Sequence, residues 1–129
     1  MKHSHYQQVM NDTKWEELRA AMYNYPDNLQ WRTKDIETGY IRPWDGDWFH
    51  HFKSGGYISI EWLEIKAETE ELRKDLTAVL RNIHVPGEVI LDVIRVYGYV
   101  KKEDSLIIFN HSFLQLSISG GKPLEYNTY

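Results

Sequence analysis

The amino-acid sequence predicts a single compact α+β domain: a sheet of about five strands, mixed or antiparallel, with two amphipathic helices packed mainly on one of its faces. Three observations carry this. Two stretches repeat apolar residues at helical spacing, while the rest of the chain breaks into short extended runs separated by turn residues. The 129 residues, 42% hydrophobic, 26% charged and 14% aromatic, suit one domain with a sizeable core.

The first helix is read from Thr13 as a cap and Glu16 as its capping-box partner. Trp15, Leu18, Met22 and Tyr25 form its apolar stripe, and Pro26 stops it because proline cannot continue the hydrogen-bond ladder. The second helix, Thr69 to Ile83, is read from Leu72, Leu76, Val79, Leu80 and Ile83 on one stripe. Glu68, Glu70 and Glu71 sit at its positive end, and Arg81 and His84 at its negative end. Burying five such side chains is worth roughly 10 kcal/mol gross, so this helix is expected at the centre of the core.

Between the helices, Leu29 to Asp35 and Tyr40 to Ile41 read as short extended segments around Glu37-Thr38-Gly39. Asp45-Gly46 is a hairpin signal, followed by a strand from Trp48 to Phe52 and a turn at Ser54-Gly55-Gly56. The longest strand is expected from Tyr57 to Lys66. Ile58, Ile60 and Trp62 share one face there and Leu63 and Ile65 the other, which implies burial on both faces or a bulge near Trp62. After Val85-Pro86-Gly87, one strand is expected from Leu91 to Val100, then strands at Leu106 to Phe109 and Leu114 to Ile118. If the long strand and that from Leu91 are parallel neighbours, the second helix is a right-handed crossover; otherwise the sheet is antiparallel throughout. Residues 1–10 read as an N-terminal tail and 122–129 as a loosely held C-terminal tail of the same domain.

Composition narrows the chemistry. With no cysteine, thiolate catalysis, disulfides and Cys-ligated metals are excluded, and a cytoplasmic location is expected. A net charge of −4 disfavours nucleic acid, and no apolar run suits a signal peptide or a membrane span. There is no Gly-rich phosphate loop, HExxH or GxSxG motif, which leans against catalysis and leaves it open.

The richest run is Trp44 to Phe52. Asp45, Asp47, His50 and His51 are metal-ligand types, yet neighbouring residues of a strand point to opposite faces, so no local cage and no metal or other cofactor is expected. His84 and Glu88 could flank a helix end as acid and base; the simpler reading gives His84 to the helix dipole and Pro86-Gly87 to termination. If the long strand and that from Leu91 are neighbours, Glu61 could pair with Arg95 across the sheet face. The amino terminus with His3 has the nitrogen spacing of a square-planar Cu(II) or Ni(II) site, a short pattern often met by chance.

Several strings stand out: Trp31-Arg32-Thr33-Lys34-Asp35, Glu37-Thr38-Gly39-Tyr40, Trp44-Asp45-Gly46-Asp47-Trp48-Phe49, Gly55-Gly56-Tyr57, Ile60 to Ile65, His84-Val85-Pro86-Gly87-Glu88 and Arg95 to Tyr99. Together, over Trp15 to Val100, the chain resembles an uncharacterised bacterial family known only as a domain of unknown function. The resemblance implies a bacterial, single-domain, cytosolic protein and no particular chemistry.

The leading functional expectation is a non-catalytic protein-interaction module of immunity or accessory type. Its partner would be another bacterial protein or a second copy of the chain, met by an acidic aromatic surface of Trp44, Asp45, Asp47 and Trp48. The alternative is a small-ligand protein or enzyme with a pocket lined by Trp31, Trp48, His50, Glu61, Arg95 and Tyr97.

Overall fold

The computed structural model describes residues 4–102 and 121–122. In chain order the elements are β1 (Tyr6–Gln8), α1 (Asp12–Tyr23), β2 (Trp31–Asp35), β3 (Ile60–Lys66), α2 (Glu70–Asn82), β4 (Gly87–Ile90), β5 (Val93–Tyr97), β6 (Tyr99–Lys101) and β7 (Gly121–Lys122). The main sheet runs β2-β3-β5-β4, all neighbours antiparallel, and β7 adds two residues at the β4 edge. β1 and β6 form a separate antiparallel pair. The α+β architecture expected from the sequence is thus the one observed. Of the two topologies, the antiparallel one holds, because β3 and β5 are antiparallel neighbours and no parallel crossover joins them.

Both helices lie on one face of the sheet. Trp15, Leu18 and Met22 of α1 and Leu76 and Leu80 of α2 join Trp31, Leu63, Ile65, Ile94 and Val96 of the strands in one buried cluster. α2 keeps the limits its sequence predicts, with caps at both: the Thr69 side chain accepts from Leu72 N–H at 3.1 Å, and Ile83 closes the far end. The Lys14 ammonium of α1 donates to the Ile83 carbonyl at 2.8 Å, placing a cation at the negative end of α2.

Five aromatic rings give this core its character. Trp15 and Trp31 meet Phe52 edge-on, Trp31 lies 5.8 Å from Trp48, and Tyr57 stacks on Trp15 with centroids 6.1 Å apart.

Several local expectations are corrected. α1 is capped by Asn11, whose side chain accepts from Lys14 N–H, and not by Thr13; Glu16 instead binds Arg19 and Tyr57. Trp48 to Phe52 forms no strand but a succession of turns. Asp47 Oδ1 accepts from the backbone N–H of Phe49 and His50, which folds the chain back on itself locally and leaves no free ladder edge. The long strand starts at Ile60. A bulge at Glu61 turns Ile60 to the helix side with Leu63 and Ile65, while Trp62 faces away, and Ile58 precedes the strand, exposed. The single strand expected from Leu91 to Val100 becomes two, β5 and β6, and β4 precedes it where no strand was expected. β4 turns into β5 at Leu91, which adopts φ 53° and is exposed, and Gly98 ends β5 where β6 departs to pair with β1. Residues 6–8, inside the segment read as a tail, form β1. The strands expected at Leu106 to Phe109 and Leu114 to Ile118, the tail after Lys122 and the His3 site lie outside the described residues.

Candidate functional site

The Trp44 to Phe52 run divides between the two faces of the sheet. Asp45 bridges to Trp31, exchanging backbone hydrogen bonds of 2.8 and 2.9 Å, so Trp44 falls on the opposite face. Trp48 is buried in the aromatic core, its Nε1–H donated to the Leu29 carbonyl at 2.9 Å. The carboxylates are held together by His51 and not by His50: His51 Nδ1 lies 2.8 Å from Asp45 Oδ2, and its Nε2 lies 3.7 Å from Asp47 Oδ2. Asp45 is held below the usual carboxylate range because hydrogen bonds from Asp47 N–H and His51 outweigh its partial burial. Asp47 is lowered chiefly by the N–H of His50. Among the described residues no group of three His, Asp or Glu side chains is placed to hold a metal ion.

Phe49 and Tyr23 supply the aromatic surface that Trp48 does not. Their rings lie 5.5 Å apart, 46% and 57% exposed, and the Arg19 guanidinium stacks on Phe49. Arg19 also donates to the carbonyls of Trp48 and Phe49, pinning the turn to α1. Beside this pair is a cleft of about 260 Å³, with Asp27, Asp47 and Tyr25 in its wall.

The second polar assembly is on the sheet face away from the helices. Register aligns Arg32, Glu64, Arg95 and Glu88 in one row across four strands. Glu64, almost fully buried, accepts from Arg32 Nε at 2.9 Å and from Arg95 Nε and a terminal nitrogen at 3.0 and 2.6 Å. The sequence expectation of a Glu61–Arg95 pair is therefore corrected. Arg95 stands directly across from Glu64 in the β3–β5 register, three residues from Glu61, which pairs with Lys34 at 3.4 Å. Arg95 stacks on Trp62, and Arg32 and Lys66 both lie over Trp44. Glu88 is fully buried; Tyr97 O–H donates to its Oε2 at 2.5 Å, and its Oε1 has no partner among the described residues. Burial raises the Glu88 pKa, against smaller lowering by Tyr97 and Arg95, and also pushes the Tyr97 phenol up.

The alternative pocket residues are consequently dispersed. Trp31 and Trp48 are in the helix-side core, His50 is exposed on the turn, and Arg95 and Tyr97 are on the opposite face, so the set does not line one pocket. His84 likewise is exposed beyond the helix end at φ 61° while Glu88 is buried in β4. Parity along β2 and β3 would have flagged Arg32 and Lys66 as face partners of Glu64. No comparable signal marked Tyr23, which continues no stripe.

Against this geometry stand the comparisons with known proteins. The model of a family of unknown function, DUF6678, matches residues 1–103. The chain belongs to that family. Its matched span runs from β1 through β6 and contains the residues of both surfaces described above. No curated protein and no solved structure matches the chain. Among the described residues no helix is long and apolar enough to cross a membrane.

Proposed function

We propose that this DUF6678 chain is a non-catalytic protein-interaction module, of the immunity or accessory type, that contacts a partner through Tyr23, Phe49 and the acidic cleft beside them. The observation that carries this reading is the pair of touching aromatic rings left about half exposed on a turn pinned to α1. Exposed aromatics on a rigid support lose little entropy on binding and act as interface anchors. Asp27 and Asp47 in the cleft wall, together with the net charge of −4, favour a partner segment that carries a basic side chain beside an apolar one. Of the residues first expected in this surface, Asp47 remains available, whereas Trp48 serves as the floor beneath it.

The test uses surface residues, because alanine at Trp48 would empty the core. The double variant Tyr23→Ala, Phe49→Ala is expected to keep its unfolding midpoint and lose at least about tenfold in affinity for a partner captured by the wild type and then purified. A folded double variant that binds every such partner with wild-type affinity would refute the reading.

A further inference from the structure

The sheet face away from the helices carries more positive charge than its carboxylates neutralise. Arg32 and Arg95 share one charged partner, Glu64, and Lys66 pairs with no carboxylate among the described residues, in a chain whose overall charge is −4. Lys34 is matched by Glu61, and Glu88 at the far end of the row is buried against Tyr97, away from Arg32 and Lys66. Positive charge is thus concentrated locally against the sign of the whole molecule.

The concentration is greatest at Trp44. The Arg32 guanidinium carbon lies 4.5 Å and the Lys66 ammonium 4.6 Å from the centroid of its ring. Among the described residues Arg32 commits only its Nε–H, to Glu64, and its two terminal nitrogens make no hydrogen bond. The Lys66 ammonium there meets the Trp44 ring and no carboxylate. Holding two cations at one indole costs mutual repulsion, which the ring quadrupole offsets only in part. Arg32 is kept in place by a nearly buried carboxylate and by the ring, so its free donors are preorganised.

We propose that Arg32 and Lys66, flanking Trp44, form a binding site for an oxyanion, a carboxylate or phosphate group of a small ligand. The guanidinium terminal N–H groups supply a planar fork and the ammonium supplies a point charge, a combination that suits either anion. This site is on the other face of the sheet from the Tyr23–Phe49 surface and stands whether or not that surface binds a protein.

The experiment follows the Trp44 indole N–H by NMR in the full chain during titration with sodium phosphate, with sodium acetate, and with sodium chloride at matched ionic strength. The expected result is a saturable shift with phosphate, acetate or both that chloride does not reproduce; which of the two saturates identifies the group. Lys66→Met, which keeps the apolar stem over the ring, is expected to weaken that binding at least about tenfold, while Lys66→Arg retains it. Lys74→Met, on exposed α2, serves as the control and should titrate as the wild type. No saturable shift, a shift equalled by chloride, or wild-type binding by a folded Lys66→Met variant would each overturn the assignment.

Discussion

Replacing Gly98 with alanine should be the most damaging single methyl in the described part of the chain. A Cβ at this position would stand 2.1 Å from the Ile60 carbonyl oxygen and 3.1 Å from Cζ2 of Trp15. The first atom is backbone, anchored at the start of β3, and cannot rotate away. Nor can Gly98 retreat freely: its N–H donates to the Glu61 carbonyl and its own carbonyl accepts from Val9 N–H, both at 2.8 Å. Relief requires about 1 Å of backbone movement, and overpacking of this kind costs about 1–3 kcal/mol before hydrogen bonds are lost. Each stretched bond adds about 1 kcal/mol, giving about 3–5 kcal/mol in total. For a chain of this length that corresponds to a fall in Tm of roughly 10–20 °C. The comparison is Gly39→Ala. Gly39 has φ +78° with nothing within 4 Å of its Cβ position, so only the dihedral penalty of about 1 kcal/mol applies. Urea unfolding followed by tryptophan fluorescence and circular dichroism measures both. If Gly98→Ala loses less than about 1 kcal/mol, or less than Gly39→Ala, the close approach of β3 to the β5–β6 junction is refuted.

Two further outcomes are expected. The Glu88 pKa is raised in the folded state, so its contribution to stability is fully present below the unfolded-state pKa and is lost as pH rises through the folded value. Glu88→Gln should therefore gain in stability relative to wild type on going from acid to neutral pH, seen in urea midpoints across that range; a difference that is constant or runs the other way contradicts the burial argument. Glu64→Ala should cost about 2–3 kcal/mol, less than a wholly buried pair because both arginines are partly exposed, and the loss should shrink when Arg32 is also replaced by alanine. A double-mutant cycle in urea measures this, and strict additivity would show that the row is not coupled.

What the sequence by itself determined is the local physics. The α2 stripe from Leu72 to Ile83 and its charge gradient fix a helix whose limits the structure reproduces, because both signals are carried by one continuous short segment of the chain. Absence of cysteine and the alternation along Ile60 to Lys66 likewise act through composition and neighbours. Tertiary structure alone decided the rest. Glu61 was a reasonable partner for Arg95 until the pairing of β3 with β5 set Glu64, three residues along, directly across from it, and register is fixed by the whole strand pair and not by either residue. Trp44 and Trp48 are four residues apart and similar in chemistry, yet the Asp45–Trp31 bridge sends one to the cationic face while the turn after it buries the other beneath Phe49 and Phe52. Those choices depend on pairings between residues more than ten positions apart, and no local pattern encodes them. The helices thus follow from the sequence, while the aromatic core and the surfaces left over for binding follow from how the strands and turns meet.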